Sequence, residues 1–322
     1  MSSHCRRTVG WIRLDHFRRC WPRWGYSLDT GRTLGLMSST DSDQTGAAGR
    51  KYTAAEFRPV DFFGLTPTER TQVWSLSVEQ RLSTSGGFLF GGCGLGAALA
   101  VLEELTGRPA IWATAQFLSF AMLGETVEIE TVLVASGHFT AQARAVARVG
   151  DREILTVNAA FGARPAPWNG QWYEMPAAPP PLDCPPREAK WIVPGTIGEL
   201  TEIRMASGRQ WADLNGVGTA DGRSLLWARA SEIPVSTTLL SILGDYVPYG
   251  ISQALGLGNI MANSLDNTLR VLSLAPSEWV LIDIGIAGIG SGFGHGEVRI
   301  WAEDSTLLAI ASQSSIIREH RG

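Results

Sequence analysis

Gly91-Gly92-Cys93-Gly94-Leu95-Gly96-Ala97-Ala98-Leu99-Ala100-Val101-Leu102-Glu103-Glu104-Leu105 is the stretch on which the fold turns. It is entered from Phe88-Leu89-Phe90 and stopped by Thr106-Gly107, which predicts a helix with a defined end. Its many small side chains let a sheet wrap it closely, so it reads as the buried helix of a curved sheet. Upstream, Val73 to Leu82 alternates, with Trp74, Leu76 and Val78 on one face, and Ser85-Gly86-Gly87 breaks that strand pattern. Downstream, strands are predicted at Ile111 to Phe120, Thr126 to Ala135, Phe139 to Val149 and Glu153 to Ala160. Their separators, Gly124, Ser136-Gly137 and Gly150-Asp151, are too short for crossover helices, so the sheet is expected to be antiparallel.

The same order then recurs. Residues 74–162 and 223–318 both read as a strand, an apolar helix and four strands, the mark of one supersecondary unit duplicated and packed on itself. In the second unit, strands are predicted near Thr201 to Ala206 and Ser224 to Ala230. A helix follows over Ser236 to Val247, with Ser236, Thr237 or Thr238 as its N-cap. Met261 to Val271, Trp279 to Ile286, Gly296 to Ala302 and Leu307 to Ile317 close the chain. Laying Ile154-Leu155-Thr156-Val157 over Leu307-Leu308-Ala309-Ile310 sets Ala160 opposite Gln313, so only the second unit keeps a polar residue there. The connection, Arg164 to Pro194, is Pro-rich and excludes regular helix or sheet. Helix-then-four-strands twice predicts an α+β double hotdog, two curved antiparallel sheets each wrapping a central helix. Its expected parts are an N-terminal arm over 1–56, one unit over 57–163, a linker over 164–199 and a second unit over 200–322.

The 322 residues, 44% apolar and 18% charged, describe an ordinary globular chain with room for about two domains. No apolar run reaches the ~20 residues of a membrane helix. Cys5, Cys20, Cys93 and Cys184 lack metal or redox spacing, which points to a reducing compartment and a cytoplasmic location. The first 36 residues carry seven Arg against Asp15 and Asp29, with Trp11, Trp21 and Trp24 interleaved and no secretory apolar core. Such an arm suits nucleic acid. The reading preferred here is upstream translation or a disordered arm, because Met37 opens Ser-Ser-Thr-Asp-Ser-Asp as a natural start would. Removing seven Arg and two Asp from 27 basic and 31 acidic residues leaves 20 and 29, a net charge of −9 for 37–322. A body that acidic does not bind nucleic acid by neutralising phosphates.

Three residues stand out as candidates for chemistry. Asp245 ends an apolar helix in Leu243-Gly244-Asp245-Tyr246, where a carboxylate is either solvated or held for use. In Asn263-Ser264-Leu265-Asp266-Asn267-Thr268, strand periodicity sets Ser264, Asp266 and Thr268 on one face, near enough to partner Asp245. Gln313 interrupts the apolar run Ile310 to Ile317, either as a structural amide or as part of a site.

Taken in order, these segments resemble the acyl-CoA thioesterase II family of double-hotdog hydrolases. The similarity runs from about residue 57 to 318. It is carried by Phe90-Gly91-Gly92 before the first helix, a carboxylate on the second, Ser264-Leu265-Asp266 opening a strand, Glu278-Trp279, and Ala311-Ser312-Gln313 with Ile317-Arg318. The resemblance implies that Asp245, Ser264 and Gln313 jointly hold a hydrolytic water, with neither cofactor nor metal. A carboxylate can orient that water and accept its proton as it attacks a thioester carbonyl. It further implies acyl-CoA as substrate, with Arg270 or Arg318 meeting the phosphates of coenzyme A, a role in lipid metabolism, and a homo-oligomer of double-hotdog protomers. The sequence departs from the family at Cys93, where Gln is usual, and at Asn267, where His is common. Leu272-Ser273-Leu274 replaces an expected His-Arg-Pro, and Ser119-Phe120 lacks an Arg-Pro.

Other readings fare worse. Gly92-x-Gly94-x-x-Ala97 imitates a dinucleotide-binding turn, but no βαβ unit follows it. No Gly-x-Ser-x-Gly occurs, and His138 and His295 stand apart from any matching nucleophile, against a serine hydrolase or a hotdog hydratase. A non-catalytic acyl-CoA-binding or subunit-interaction protein of the same fold remains the alternative, to be separated from an enzyme by thiol release from acyl-CoA esters.

Overall fold

The computed structural model describes residues 56–188 and 192–319, and the basic arm lies outside them. The first repeat contains α1 (Pro59–Phe63), β1 (Thr66–Pro67), β2 (Val73–Ser77), α2 (Gly91–Thr106), β3 (Ala110–Phe117), β4 (Thr126–Ser136), β5 (Thr140–Val149) and β6 (Arg152–Gly162). The second contains α3 (Ile197–Leu200), β7 (Thr201–Ser207), β8 (Arg223–Ala230), α4 (Thr237–Leu243), α5 (Val247–Leu255), β9 (Ile260–Ser264), β10 (Asp266–Val271), β11 (Val280–Gly290), β12 (Phe293–Ala302) and β13 (Leu307–Glu319).

The thirteen strands of the described residues form one antiparallel sheet in the order β1-β2-β4-β5-β6-β3-β10-β13-β12-β11-β8-β7, with β9 also pairing β13. The order β2-β4-β5-β6-β3 is repeated in mirror sequence by β10-β13-β12-β11-β8. The two sheets expected from the sequence are therefore joined edge to edge through β3 and β10, which hides two edges that would otherwise be open. Thr114 pairs with Thr268 at this seam, and their hydroxyls meet at 3.1 Å.

The seam also corrects the overlay of the repeats. On its far side Thr114 pairs with Asn158, whereas Thr268 pairs with Ser312, so Ala159, not Ala160, is the counterpart of Gln313. Bulges agree: the register shifts at Ile154 in β6 and at Leu308 in β13. A one-residue slip moves a side chain to the other face of a strand. Ala159 and Gln313 are both buried, as shared parity requires, while Ala160 is half-buried.

Helix α2 is buried from Gly92 to Leu102, with Leu95, Leu99 and Leu102 among the largest enclosed side chains. Each such leucine contributes about 1.5–3 kcal/mol relative to exposure. The small residues serve helix contact as well as sheet contact: a Cβ on Gly92 would lie 2.7 Å from the Ser241 carbonyl oxygen and 2.8 Å from the Ile242 Cα. Glycine there lets α4 lie directly on α2. Ser236 caps α4, its Oγ accepting from the Leu239 N–H at 3.3 Å.

The second helix is not continuous to Val247 as its apolar run suggests. It stops at Leu243 and restarts at Val247, because Pro248 has no N–H to give to the Gly244 carbonyl and its ring would clash there. Asp245 occupies the break. The Pro-rich connection is not a free tether either. Trp227 donates its indole N–H to the Pro179 carbonyl at 2.8 Å, and Cys184 packs with Trp227, Trp279 and Trp301 on the outer face of the second repeat. No helix among the described residues is long and apolar enough to cross a membrane.

Candidate functional site

Asp245 is buried in the break between α4 and α5 and is held from three sides. Its Oδ1 accepts from the Ser264 hydroxyl at 3.0 Å and from the Gln313 amide, and its Oδ2 accepts from the Gly92 N–H at 2.7 Å. Gln313 also donates to the Ser264 Oγ at 2.9 Å, while its own Oε1 accepts from the Val247 N–H at 3.1 Å. The amide orientation follows: with its oxygen facing an N–H, its nitrogen must face the carboxylate. Burial raises the Asp245 pKa to about 6, against the opposing pull of the hydrogen bonds from Gln313, Ser264 and Gly92. The group therefore sits near the pH at which a carboxylate both ionises and remains basic.

Each partner is delivered by a specific local feature. Gly92 is in the first turn of α2, whose free N–H groups and positive dipole end face the carboxylate. A Cβ on the preceding Gly91 would lie 2.6 Å from Asp245 Oδ2, so that turn needs glycine for close approach. Ser264 ends β9. Beyond it Ser264 pairs with Ser315 whereas Thr268 pairs with Ser312, so Leu265 is an extra residue, a bulge. That bulge overturns the expectation that Ser264, Asp266 and Thr268 share a face. Ser264 turns to Asp245, whereas Asp266 accepts from the Ser314 N–H at 2.7 Å and Thr268 meets Thr114.

A cavity of about 490 Å³ opens beside Asp245 and Ser264. Its lining comes from both repeats and the linker, including Phe88, Phe90, Phe117 and Phe120 of the first repeat, Arg187 of the linker, and Tyr246, Tyr249 and Arg318 of the second repeat. This volume is within the range of small-molecule sites. Of the two arginines expected near a phosphate-bearing ligand, Arg318 lines the cavity. Arg270 does not, being exposed on β10 between Trp112 and Ile310.

Residues 176–317 match the acyl-CoA thioesterase C-terminal domain family. Among solved structures, a candidate thioesterase from Novosphingobium aromaticivorans is 30% identical, with a TM-score of 0.68, covering 78% of this chain and 97% of that one. The chain belongs to the acyl-CoA thioesterase II family. Two more distant structures share the hotdog fold of this family member. An acyl-CoA thioesterase II from Mycobacterium marinum is 21% identical, with a TM-score of 0.64 and coverage of 82% and 99%. A hot dog protein of unknown function from Alicyclobacillus acidocaldarius is 19% identical, with a TM-score of 0.68 and coverage of 83% and 99%. No curated protein matches the chain.

Two features of this thioesterase II chain escape a sequence reading. Gly92 contributes a backbone donor, which leaves no side-chain signature. Arg187 comes from the Pro-rich connection, which reads as a spacer. Asn267, singled out in the sequence as a departure from the family pattern, is wholly buried, and neither polar atom of its side-chain amide has a hydrogen-bond partner among the described residues. Cys93 is no nucleophile, since burial first and the Asp245 charge second push its thiol far above the usual range.

Proposed function

We propose that this chain is a double-hotdog acyl-CoA thioesterase, hydrolysing acyl-CoA to the free acid and coenzyme A with Asp245 as general base. The observation that carries the reading is the grip on Asp245 in the cavity lining: Ser264 and Gln313 donate to one carboxylate oxygen, and the Gly92 N–H donates to the other. A water bound there gives its proton to Asp245 as its oxygen adds to the thioester carbonyl. The tetrahedral intermediate then collapses, breaking the C–S bond, and the proton passes to the departing thiolate. Backbone N–H groups at the start of α2, beside Gly91 in the cavity wall, are suited to the oxyanion. Ser264 and Gln313 act by fixing the carboxylate, and each deepens the cost of moving it.

The size and apolar wall of the cavity favour an acyl chain over a small acid. The deciding experiment measures thiol release from straight and branched acyl-CoAs of increasing length. Turnover that disappears in Asp245→Asn supports the reading, and binding without turnover in the wild type would favour the non-catalytic alternative.

A further inference from the structure

The cavity draws its aromatic and its cationic residues from different parts of the chain. The first repeat supplies Phe88, Phe90, Phe117 and Phe120, with Thr84 and Ser119 among them. The linker and second repeat supply both arginines of the lining, Arg187 and Arg318, with Tyr246 and Tyr249, beside apolar Ile242 and Leu265. Asp245 also lines it, bonded to Gly92 of the first repeat and to Ser264 and Gln313 of the second. A thioester whose carbonyl lies at Asp245 thus has aromatic side chains of the first repeat and the two arginines of the linker and second repeat within one cavity.

Resting on the thioesterase reading, we propose that Arg187 binds the phosphate groups of the coenzyme A arm from a platform made by Tyr246 and Tyr249. Its guanidinium carbon lies 6.0 Å from the Tyr246 ring centroid and 5.8 Å from that of Tyr249, at the reach of cation–π attraction. The rings themselves are 6.4 Å apart and inclined at 55°, which presents two faces to one cation. No described carboxylate forms an ion pair with Arg187, although 37–322 carries a net charge of −9. The Tyr249 hydroxyl is buried without a hydrogen-bond partner among the described residues. A guanidinium without a described carboxylate partner matches a phosphate in both charge and hydrogen-bonding sense.

The backbone carrying Arg187 is fixed, as a binding residue on a connection requires. Its N–H donates to the Ile203 carbonyl at 2.9 Å. Gln210 clasps both neighbours, its Nε2 donating to the Pro186 carbonyl at 2.9 Å and its Oε1 accepting from the Glu188 N–H at 2.9 Å. Arg187 is thereby held to β7 of the second repeat while its side chain reaches the cavity.

The test compares two thioesters of the same saturated acyl group, the best found in the chain-length panel. One is the coenzyme A ester, and the other is the ester of N-acetylcysteamine, which has the thiol arm but no phosphate. Arg187→Ala and Arg187→Gln are expected to raise KM for the coenzyme A ester about ten- to a hundredfold. Both should leave kcat/KM for the N-acetylcysteamine ester within about twofold, and both should flatten the rise of KM with ionic strength seen in the wild type. Equal losses on the two esters, or no loss on either at an unchanged Tm, would overturn the proposal. Failure of the wild type on both esters would instead sink the thioesterase reading itself.

Discussion

Gln313 accepts the Val247 N–H at 3.1 Å, so one side chain ties the first turn of α5 to the carboxylate that precedes it. Gln313→Ala leaves that buried N–H without an acceptor and removes both donors from Asp245 and Ser264. A stability loss of about 1–3 kcal/mol is expected, read as a drop in Tm. Turnover of the folded variant should fall less than for Asp245→Asn, because Ser264 and Gly92 still hold the carboxylate. An unchanged Tm would show that the N–H has another acceptor.

Asp245→Asn keeps the shape and removes the base. Thiol release should fall about 10²–10⁴-fold, the usual share of general acid–base catalysis. In the wild type, kcat/KM should climb with pH through about 6, where Asp245 ionises, and level off above it. Ser264→Ala is expected to cost less, and its loss should shrink when combined with Asp245→Asn, since the residues act as one unit. Near-normal hydrolysis by folded Asp245→Asn would end the mechanism.

The same carboxylate has a signature in stability. Burial raises its folded pKa to about 6 from an ordinary value of 3.8, so between those values the folded state holds more protons than the unfolded one. Stability contributed by the protonated acid is therefore present below about pH 4 and lost as pH rises through about 6. The Tm of Asp245→Asn should improve relative to wild type across that window. Parallel Tm-versus-pH curves would contradict the raised pKa.

Gly92→Ala drives a Cβ into the backbone of α4, 2.7 Å from the Ser241 oxygen. A loss of about 1–3 kcal/mol follows from such overpacking. Because α2 must shift to relieve it, the Gly92 N–H leaves Asp245 and turnover should drop as well. Chemical denaturation with a parallel thiol assay checks both, and loss of neither would mean the helices can separate at no cost.

Residues 57–163 expressed alone expose the β3 edge that β10 covers in the whole chain. Self-association on size-exclusion chromatography is the expected result. A monodisperse monomer would show that the seam adds nothing to the stability of the first repeat.

Periodicity carried most of the fold: strands such as Thr126–Ser136 and Thr140–Val149 fall within a residue of their predicted ends, and the repeat is visible in their order. Three local irregularities were harder. The break at Asp245 is signalled by Pro248, which an apolar run conceals. The Leu265 bulge inverts the parity of Ser264 against Asp266 and leaves no compositional trace. The matched bulges at Ile154 and Leu308 defeat an overlay made by hydrophobic similarity, because adjacent apolar residues look alike until their hydrogen bonds are known. Asp245 and Gln313 were legible as polar residues in apolar surroundings, while Ser264, in a polar stretch, joined them only through the family resemblance. Gly92 and Arg187 were not, one acting through its backbone and the other lying in a segment without periodicity.

The linker that joins the repeats changes how the cavity responds to dilution. Two separate chains meeting at a β3–β10 seam would part below their dissociation constant, and a pocket walled by both would vanish with them. Covalent connection replaces that bimolecular equilibrium with an effective local concentration, in the millimolar range for short linkers, that no dilution lowers. The pocket therefore outlasts any scarcity of the protein.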